Sequence, residues 1–560
     1  MKPPAIPLAL VLLFTACAFM PAQAGAEKTP PTTPVYYQSI TELQAALQTG
    51  KLTSVELIRQ FMQRIQDLDK NGPNVNAVIE VNPDALTIAA ERDRDRKAGK
   101  AHGPLFGIPF LVKDNIDTAD RMQTSAGSLA LTGAPAAADA TVVARLRAAG
   151  AVLLGKTNLS EWANFRSSHA TSGWSGRGGL TRNPYVLSRN ACGSSSGSGA
   201  AVSAGFVTIA LGTETDGSLT CPASINGIVT IKPTLGLVSR AGIVPIAHSQ
   251  DGAGPMTRSV SDAAAVLTAL AASDQRDPAT ADAGSHAVDY TRFLQPGALK
   301  GRRIGVACDL AGFDPNVDRI VNRSAVVLRA EGATVVPVTL QHFKDYGKPE
   351  MIVLLYEFKH DLNAYLATRQ GIKVKTMDDV IAFDRAHAAE EMPWFDQELM
   401  LQSTAEGPLT DKAYVTALAD EKRFTGPEGI DAALKAQNLD ALMAPASGPA
   451  WSTDLVNGDS GGGGGDSPAA VAGYPSVTVP AGNVHGLPVG IVFFAGAWSE
   501  PALIGMAYGF EQATHARIEP QFLNEAPETA EVPSLARAGD AAPATSADTP
   551  PAVCPANSAP

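Results

Sequence analysis

The stretch from Cys192 to Ser218 constrains this chain more than any other. It opens with Cys192-Gly193-Ser194-Ser195-Ser196-Gly197-Ser198-Gly199-Ala200-Ala201-Val202, a run of small residues leading into an apolar helix rather than a polar linker. Phe206 to Leu211 then reads as a buried strand, and Gly212-Thr213-Glu214-Thr215-Asp216-Gly217-Ser218 as a turn at its end. Glycine turns at strand ends present backbone N–H groups that can face one point and stabilise an oxyanion. A serine closing the turn can project its hydroxyl to the same point. A phosphate-binding loop does not fit, because the glycine-lysine-hydroxyl ending is missing.

Upstream, Gly107-Ile108-Pro109-Phe110-Leu111-Val112-Lys113-Asp114-Asn115 places a lysine at the end of an apolar stretch. Burial at a strand end disfavours the ammonium. Moving a lysine pKa from ~10.4 to about 7 or 8 costs roughly 3 to 5 kcal/mol and leaves an amine able to act as a general base. Each segment alone has an ordinary structural explanation, such as a lysine snorkelling from a strand end or a serine in a turn. Their conjunction points to chemistry.

The rest of the chain supplies the frame. Ser39-Ile40-Thr41-Glu42 and Thr53-Ser54-Val55-Glu56 are capping boxes, the second opening a helix with Val55, Ile58, Met62 and Ile65 at helical spacing. A helix from Asp139 to Gly150, with Val142, Val143 and Leu146 on one face, precedes a strand at Val152 to Leu154. Strand Ile304 to Val306, helix Val317 to Glu331 and strand Thr334 to Val338 repeat the alternation. The expected fold class is therefore α/β, a large mixed, mostly parallel central sheet covered by helices on both faces.

Domain boundaries follow from composition. Lys2, the apolar run Ile6 to Phe19 and Ala22-Gln23-Ala24 read as a secretory signal peptide over 1–24, followed by a linker over 25–35. A lipoprotein signal at Cys17, or an uncleaved N-terminal anchor, is an alternative. A catalytic domain is expected over 36–524 and a disordered Ala/Pro-rich tail over 525–560, and the five glycines Gly461 to Gly465 mark a mobile loop. The expected location is periplasmic or secreted. The net charge of -12 and the lack of a basic tract argue against nucleic acid. Cys192, Cys221, Cys308 and Cys554 form no metal or redox motif. They read as small buried thiols, although export permits a disulfide and Cys192 and Cys221 flank the two serine motifs.

With these residues in view, the sequence resembles the amidase signature family. The glycine-serine run, the Gly212-to-Ser218 turn and the upstream Lys113 segment fall in family order. The likeness continues through Asn226-Gly227, Lys232-Pro233-Thr234, Gly254-Pro255-Met256 and Gly486-Leu487-Pro488-Val489-Gly490. Ser218-Leu219-Thr220-Cys221-Pro222-Ala223, Asn158 to Phe165 and Ala497-Trp498-Ser499-Glu500-Pro501 look most like the bacterial peptide amidase branch, which removes ammonia from C-terminal peptide amides.

The resemblance implies Lys113 as base, Ser194 as a bridging serine in a cis peptide and Ser218 as nucleophile. It also implies an oxyanion hole from the N–H groups of Thr215, Asp216, Gly217 and Ser218, with no cofactor and no metal. The chain departs from many relatives at Asp216 and Thr220, where a glycine and an arginine are usual, and at Ser196, where a glycine is usual.

The expected partner is a small amide or an amidated peptide, with no integral membrane domain after signal cleavage. An aryl or fatty amide hydrolase, or a non-catalytic exported binding protein on the same fold, stays open. Gly193-Ser194-Ser195-Ser196-Gly197 also satisfies Gly-x-Ser-x-Gly, which would make Ser195 a nucleophile served by His248 or His485.

Overall fold

The computed structural model describes Met1 and residues 33–461, 464–465, 467–527 and 552–554. The expected signal segment, most of the linker and most of the tail lie outside the described residues. The chain divides into Met1–Pro34 and Val35–Pro560, and the second unit carries everything below.

Both capping boxes form. The Ser39 N–H donates to Glu42 Oε2 at 2.7 Å and the Thr53 N–H to Glu56 Oε2 at 2.9 Å, while each cap hydroxyl accepts the N–H three residues on. Such a cap stabilises a helix by about 1 kcal/mol. The Ser54–Arg64 helix turns Leu57, Ile58 and Phe61 inward, each fully buried.

The strands in chain order are β1 (Val78–Val81), β2 (Pro109–Lys113), β3 (Val152–Thr157), β4 (Trp174–Ser175), β5 (Gly179–Leu180), β6 (Ile209–Glu214), β7 (Val229–Lys232), β8 (Gly252–Thr257), β9 (Arg303–Ala307), β10 (Thr334–Val338), β11 (Ala441–Pro445), β12 (Ser476–Val484) and β13 (Leu487–Phe494). Eleven build one sheet in the order β1-β3-β2-β6-β8-β7-β12-β13-β11-β9-β10, and β4 pairs with β5 alone. Every residue of β2, β3, β6, β11 and β13 is buried, so both faces of the sheet are covered.

Mixed pairing is as expected, but a mostly parallel sheet is not what forms. Only β2–β3, β2–β6, β9–β10 and β9–β11 run parallel; the other neighbour pairs are antiparallel. The helix–strand alternation legible in the sequence marks the parallel pairs, which need crossover helices. The antiparallel middle needs no crossover and includes a hairpin at His485 and Gly486, both with positive φ.

The strand read over Phe206 to Leu211 is also displaced, to Ile209–Glu214. The preceding helix, Ser196–Ser203, ends at Gly205 in left-handed backbone, so Phe206 to Thr208 are used in turning back to the sheet. The first three residues of the glycine-led motif are therefore strand, and the turn begins at Thr215.

Residues 347–437 add a mostly helical cap around Gly347–Thr368, whose Leu354, Phe358 and Leu362 pack with Leu131, Trp162 and Ile246. No helix among the described residues is long and apolar enough to cross a membrane.

The four cysteines among the described residues are paired rather than free. Cys192 bonds Cys221 and Cys308 bonds Cys554. The second bridge corrects the expectation of a wholly disordered tail. Residues 552–554 are fixed on the body, where the Val553 N–H donates to Asn322 Oδ1 at 2.7 Å.

Candidate active site

β2 and β6 are parallel neighbours, with Phe110 opposite Ile209 and Val112 opposite Leu211. Their carboxyl ends therefore emerge side by side, the edge at which α/β sheets place ligands. Lys113 is the last residue of β2, and its ammonium meets Thr213 near the end of β6: Nζ lies 2.8 Å from Thr213 Oγ1 and 2.6 Å from Ser194 Oγ. Asn115 Nδ2 donates to the same Thr213 Oγ1 at 3.0 Å.

Lys113 and Ser194 are fully buried. Burial pulls the Lys113 ammonium from 10.5 down to about 7, and the negative charges of Asp251 and Glu214 oppose that fall.

The serine run is held by backbone fit. The Gly193–Ser194 peptide is cis. A Cβ on Gly193 would sit 2.1 Å from Ser160 Oγ, and one on Gly197 would sit 2.3 Å from the Ala77 carbonyl oxygen. Ser160 donates its N–H to the Ser194 carbonyl at 3.1 Å, and Ser195 donates its N–H to the Ser218 carbonyl at 3.2 Å. These bonds bring Ser194 beside the turn that carries Ser218. Cys192–Cys221 ties the same two segments covalently.

Ser218 follows Gly217, whose φ of 76° is left-handed. Beyond it, Glu214 Oε2 accepts the N–H groups of Leu219 at 2.7 Å and Thr220 at 2.9 Å, turning the chain into the Thr220–Ile225 helix. Among the described residues, the N–H groups of Thr215, Asp216, Gly217 and Ser218 meet no acceptor. Ser218 is 7% exposed, so a small group can reach it.

The side chains of the turn point elsewhere. The Thr215 hydroxyl donates to Asp251 Oδ1, and the Ser467 hydroxyl to Asp216 Oδ2 at 2.7 Å. Glu350 lies against Asp216; burial and the Asp216 charge push its carboxyl well above the usual carboxylate range. Burial likewise raises Asp251 to about 6.

The loop expected to be mobile is tied at Asp459, whose Oδ1 accepts from the Ser172 N–H at 3.1 Å and Trp451 Nε1 at 3.1 Å. Gly461 lies so close to the Trp451 ring that a Cβ there would overlap it.

Ser195 is spent on structure: its hydroxyl donates to the Thr213 carbonyl at 3.0 Å and accepts the Thr213 N–H at 3.2 Å. His248 pairs with Asp361, and His485 with the Pro527 carbonyl. Among the described residues no histidine is bonded to Ser195. Sequence reading missed Ser160, Glu350 and Asp251 as parts of the site. Thr213 was visible within the motif, but only the sheet register reveals that it holds Lys113.

Comparison with known proteins places this chain among amidases. The Amidase family model matches residues 56–504. A probable amidase of Arabidopsis thaliana is 40% identical over 527 residues, 92% of this chain and 97% of the relative. The native peptide amidase of Stenotrophomonas maltophilia superposes with a TM-score of 0.83 at 53% identity, covering 87% of this chain and 100% of that one. A peptide amidase solved with the competitive inhibitor chymostatin gives 0.84 at 53% identity, over 86% of this chain and 99% of that one. The chain belongs to the amidase signature family and is a hydrolase of the carbon–nitrogen bonds of linear amides.

Proposed function

We propose that this amidase works through a Lys113–Ser194–Ser218 relay and removes ammonia from C-terminally amidated peptides outside the cytoplasm. The observation that carries the relay is the buried Lys113 amine, lowered to about 7 and 2.6 Å from Ser194 Oγ. A neutral amine there can accept a proton; a lysine at its ordinary pKa could not at neutral pH.

In the forward step Lys113 Nζ takes the Ser194 proton and Ser194 Oγ takes the Ser218 proton. Ser218 Oγ bonds to the amide carbon. Negative charge gathers on the carbonyl oxygen, where the N–H groups of Thr215 to Ser218 stabilise it. Collapse breaks the carbon–nitrogen bond, and the relay runs backwards to put the proton on the departing nitrogen. Water then repeats the sequence on the acyl-enzyme, giving acid and free serine. Atoms balance as amide plus water to acid plus ammonia.

The peptide substrate is supported by the 53% identity to a peptide amidase and by the peptide amidase solved with chymostatin as a competitive inhibitor. Export is supported by the apolar leader and by two disulfides, which persist in oxidising compartments.

The test is ammonia release from an amidated peptide, its free-acid form, an aryl amide and a fatty amide, with Ser218→Ala beside the wild type. Turnover of the amidated peptide alone, abolished in Ser218→Ala, is expected. Turnover confined to an aryl or fatty amide would overturn the substrate, and an active Ser218→Ala would overturn the relay.

A further inference from the structure

Away from the serines, His248, His360 and Asp361 form a cluster that the amide chemistry does not use. His360 and Asp361 lie on the Gly347–Thr368 helix, and His248 lies on the segment before β8. The Nδ1 atoms of His248 and His360 each lie 2.8 Å from an oxygen of the Asp361 carboxylate. One potential ligand atom from each of the three residues falls within 4.8 Å of the others.

The surroundings are built. Glu357, fully buried, sits with Oε1 3.4 Å from His248 Nε2. It is itself fixed by the Tyr414 hydroxyl at 2.6 Å and the Ser249 N–H at 2.9 Å. A carboxylate behind the second nitrogen of an imidazole is the arrangement that orients a metal-bound histidine and sets its tautomer. Both imidazoles are open to solvent, 46% and 60% exposed, so an ion has a path in. Arg240 donates to the His248 carbonyl and opposes a cation, but its charge is paired with Asp277 through bonds of 2.6 and 2.9 Å. Two carboxylates, Asp361 and Glu357, outweigh it.

We propose that His248, His360 and Asp361 bind one borderline divalent cation of the zinc class, with Glu357 as the outer carboxylate that orients His248. Two imidazoles and one carboxylate suit zinc, copper or nickel and leave a fourth position for water. The ion bridges the Gly347–Thr368 helix to the His248 segment, and His248 and Asp361 line one cavity with Thr213 and Thr215. Binding thus stiffens the ground beside the catalytic turn without entering it.

The test uses the full, untagged chain stripped with a chelator and titrated with Zn2+ by calorimetry at pH 7.5, with Co2+ absorption as a second readout. Expected is one equivalent bound with a roughly micromolar constant, a Zn2+-dependent rise in melting temperature, and at least about tenfold weaker binding in His360→Ala and Asp361→Asn. His360 is exposed, so its alanine variant keeps the test readable if Asp361→Asn fails to fold. Unchanged affinity in His360→Ala, equal thermal stabilisation of His360→Ala and wild type, or no saturable binding below about 1 mM would each overturn the site.

Discussion

The Thr215 hydroxyl donates to Asp251 Oδ1 at 2.5 Å, linking the first residue of the turn that ends at Ser218 to the buried carboxylate that most strongly opposes the fall in the Lys113 pKa. One residue therefore both anchors the turn and acts on the Lys113 amine of the proposed relay. Its other oxygen accepts the Ile246 and Ala247 N–H groups at 2.8 and 3.0 Å.

Asp251→Asn keeps an oxygen for Thr215 and removes the charge. With the opposing field gone, Lys113 falls further below about 7 and becomes neutral at lower pH. The acidic limb of kcat/KM against pH should move down, by a few tenths to about one unit. Losing the Ile246 and Ala247 acceptor costs about 1 to 3 kcal/mol of stability. A limb that stays in place or moves up refutes the charge role, whatever the melting temperature does.

Lys113 also sets how stability responds to pH. Its folded pKa of about 7 lies below the unfolded value, so between the two the unfolded chain binds more protons and stability rises with pH. The full penalty, on the order of 5 kcal/mol for a shift of this size, applies below the folded pKa. Lys113→Met removes the titration along with the activity. Compared by thermal or denaturant melts at pH 6.5 and 9.5, the wild type should gain several kcal/mol on the variant at the higher pH. Parallel pH profiles would show that Lys113 is not desolvated.

The Cys192–Cys221 bridge closes a separation of 29 residues, which in the chain-entropy account stabilises the fold by about 3 to 4 kcal/mol. Replacing both cysteines with alanine should lower stability by that order and reduce kcat, because Cys192 lies only two residues before Ser194. Thiol titration of the folded wild type should find no reactive group among Cys192, Cys221, Cys308 and Cys554. Finding free thiols there would remove the bridges and the support they lend to export.

What was legible from sequence was local. Lys113 at the end of a short apolar strand, the two capping boxes and the Thr334–Val338 strand depend on neighbours a few residues away, and the structure keeps them. What was not legible depends on long-range register. Nothing near Asp251 marks it as a partner of Thr215, nor Glu350 as a partner of Asp216. β8 pairs with β6 across the sheet, and Glu350 on the Gly347–Thr368 helix meets Gln250 across 100 residues of chain. The misplaced strand start had a local cause that periodicity cannot see: Gly205 ends the helix in left-handed backbone, and Phe206 and Val207 are buried in a turn rather than in a strand.

Gly217 shows how far the turn's chemistry depends on a backbone conformation. At a φ of 76° an alanine enters a region that costs L-residues roughly 1 to 2 kcal/mol. The chain can relieve that only by rotating the peptides on either side, which carry the N–H groups of Gly217 and Ser218. Gly217→Ala should therefore lose modest stability but on the order of 100-fold in kcat, the scale of losing one oxyanion donor, while KM changes little, the signature of an interaction made in the transition state alone. Steady-state kinetics of ammonia release against a melting curve separates the two effects. A variant that melts lower yet turns over at the wild-type rate would show that these N–H groups do not hold the oxyanion.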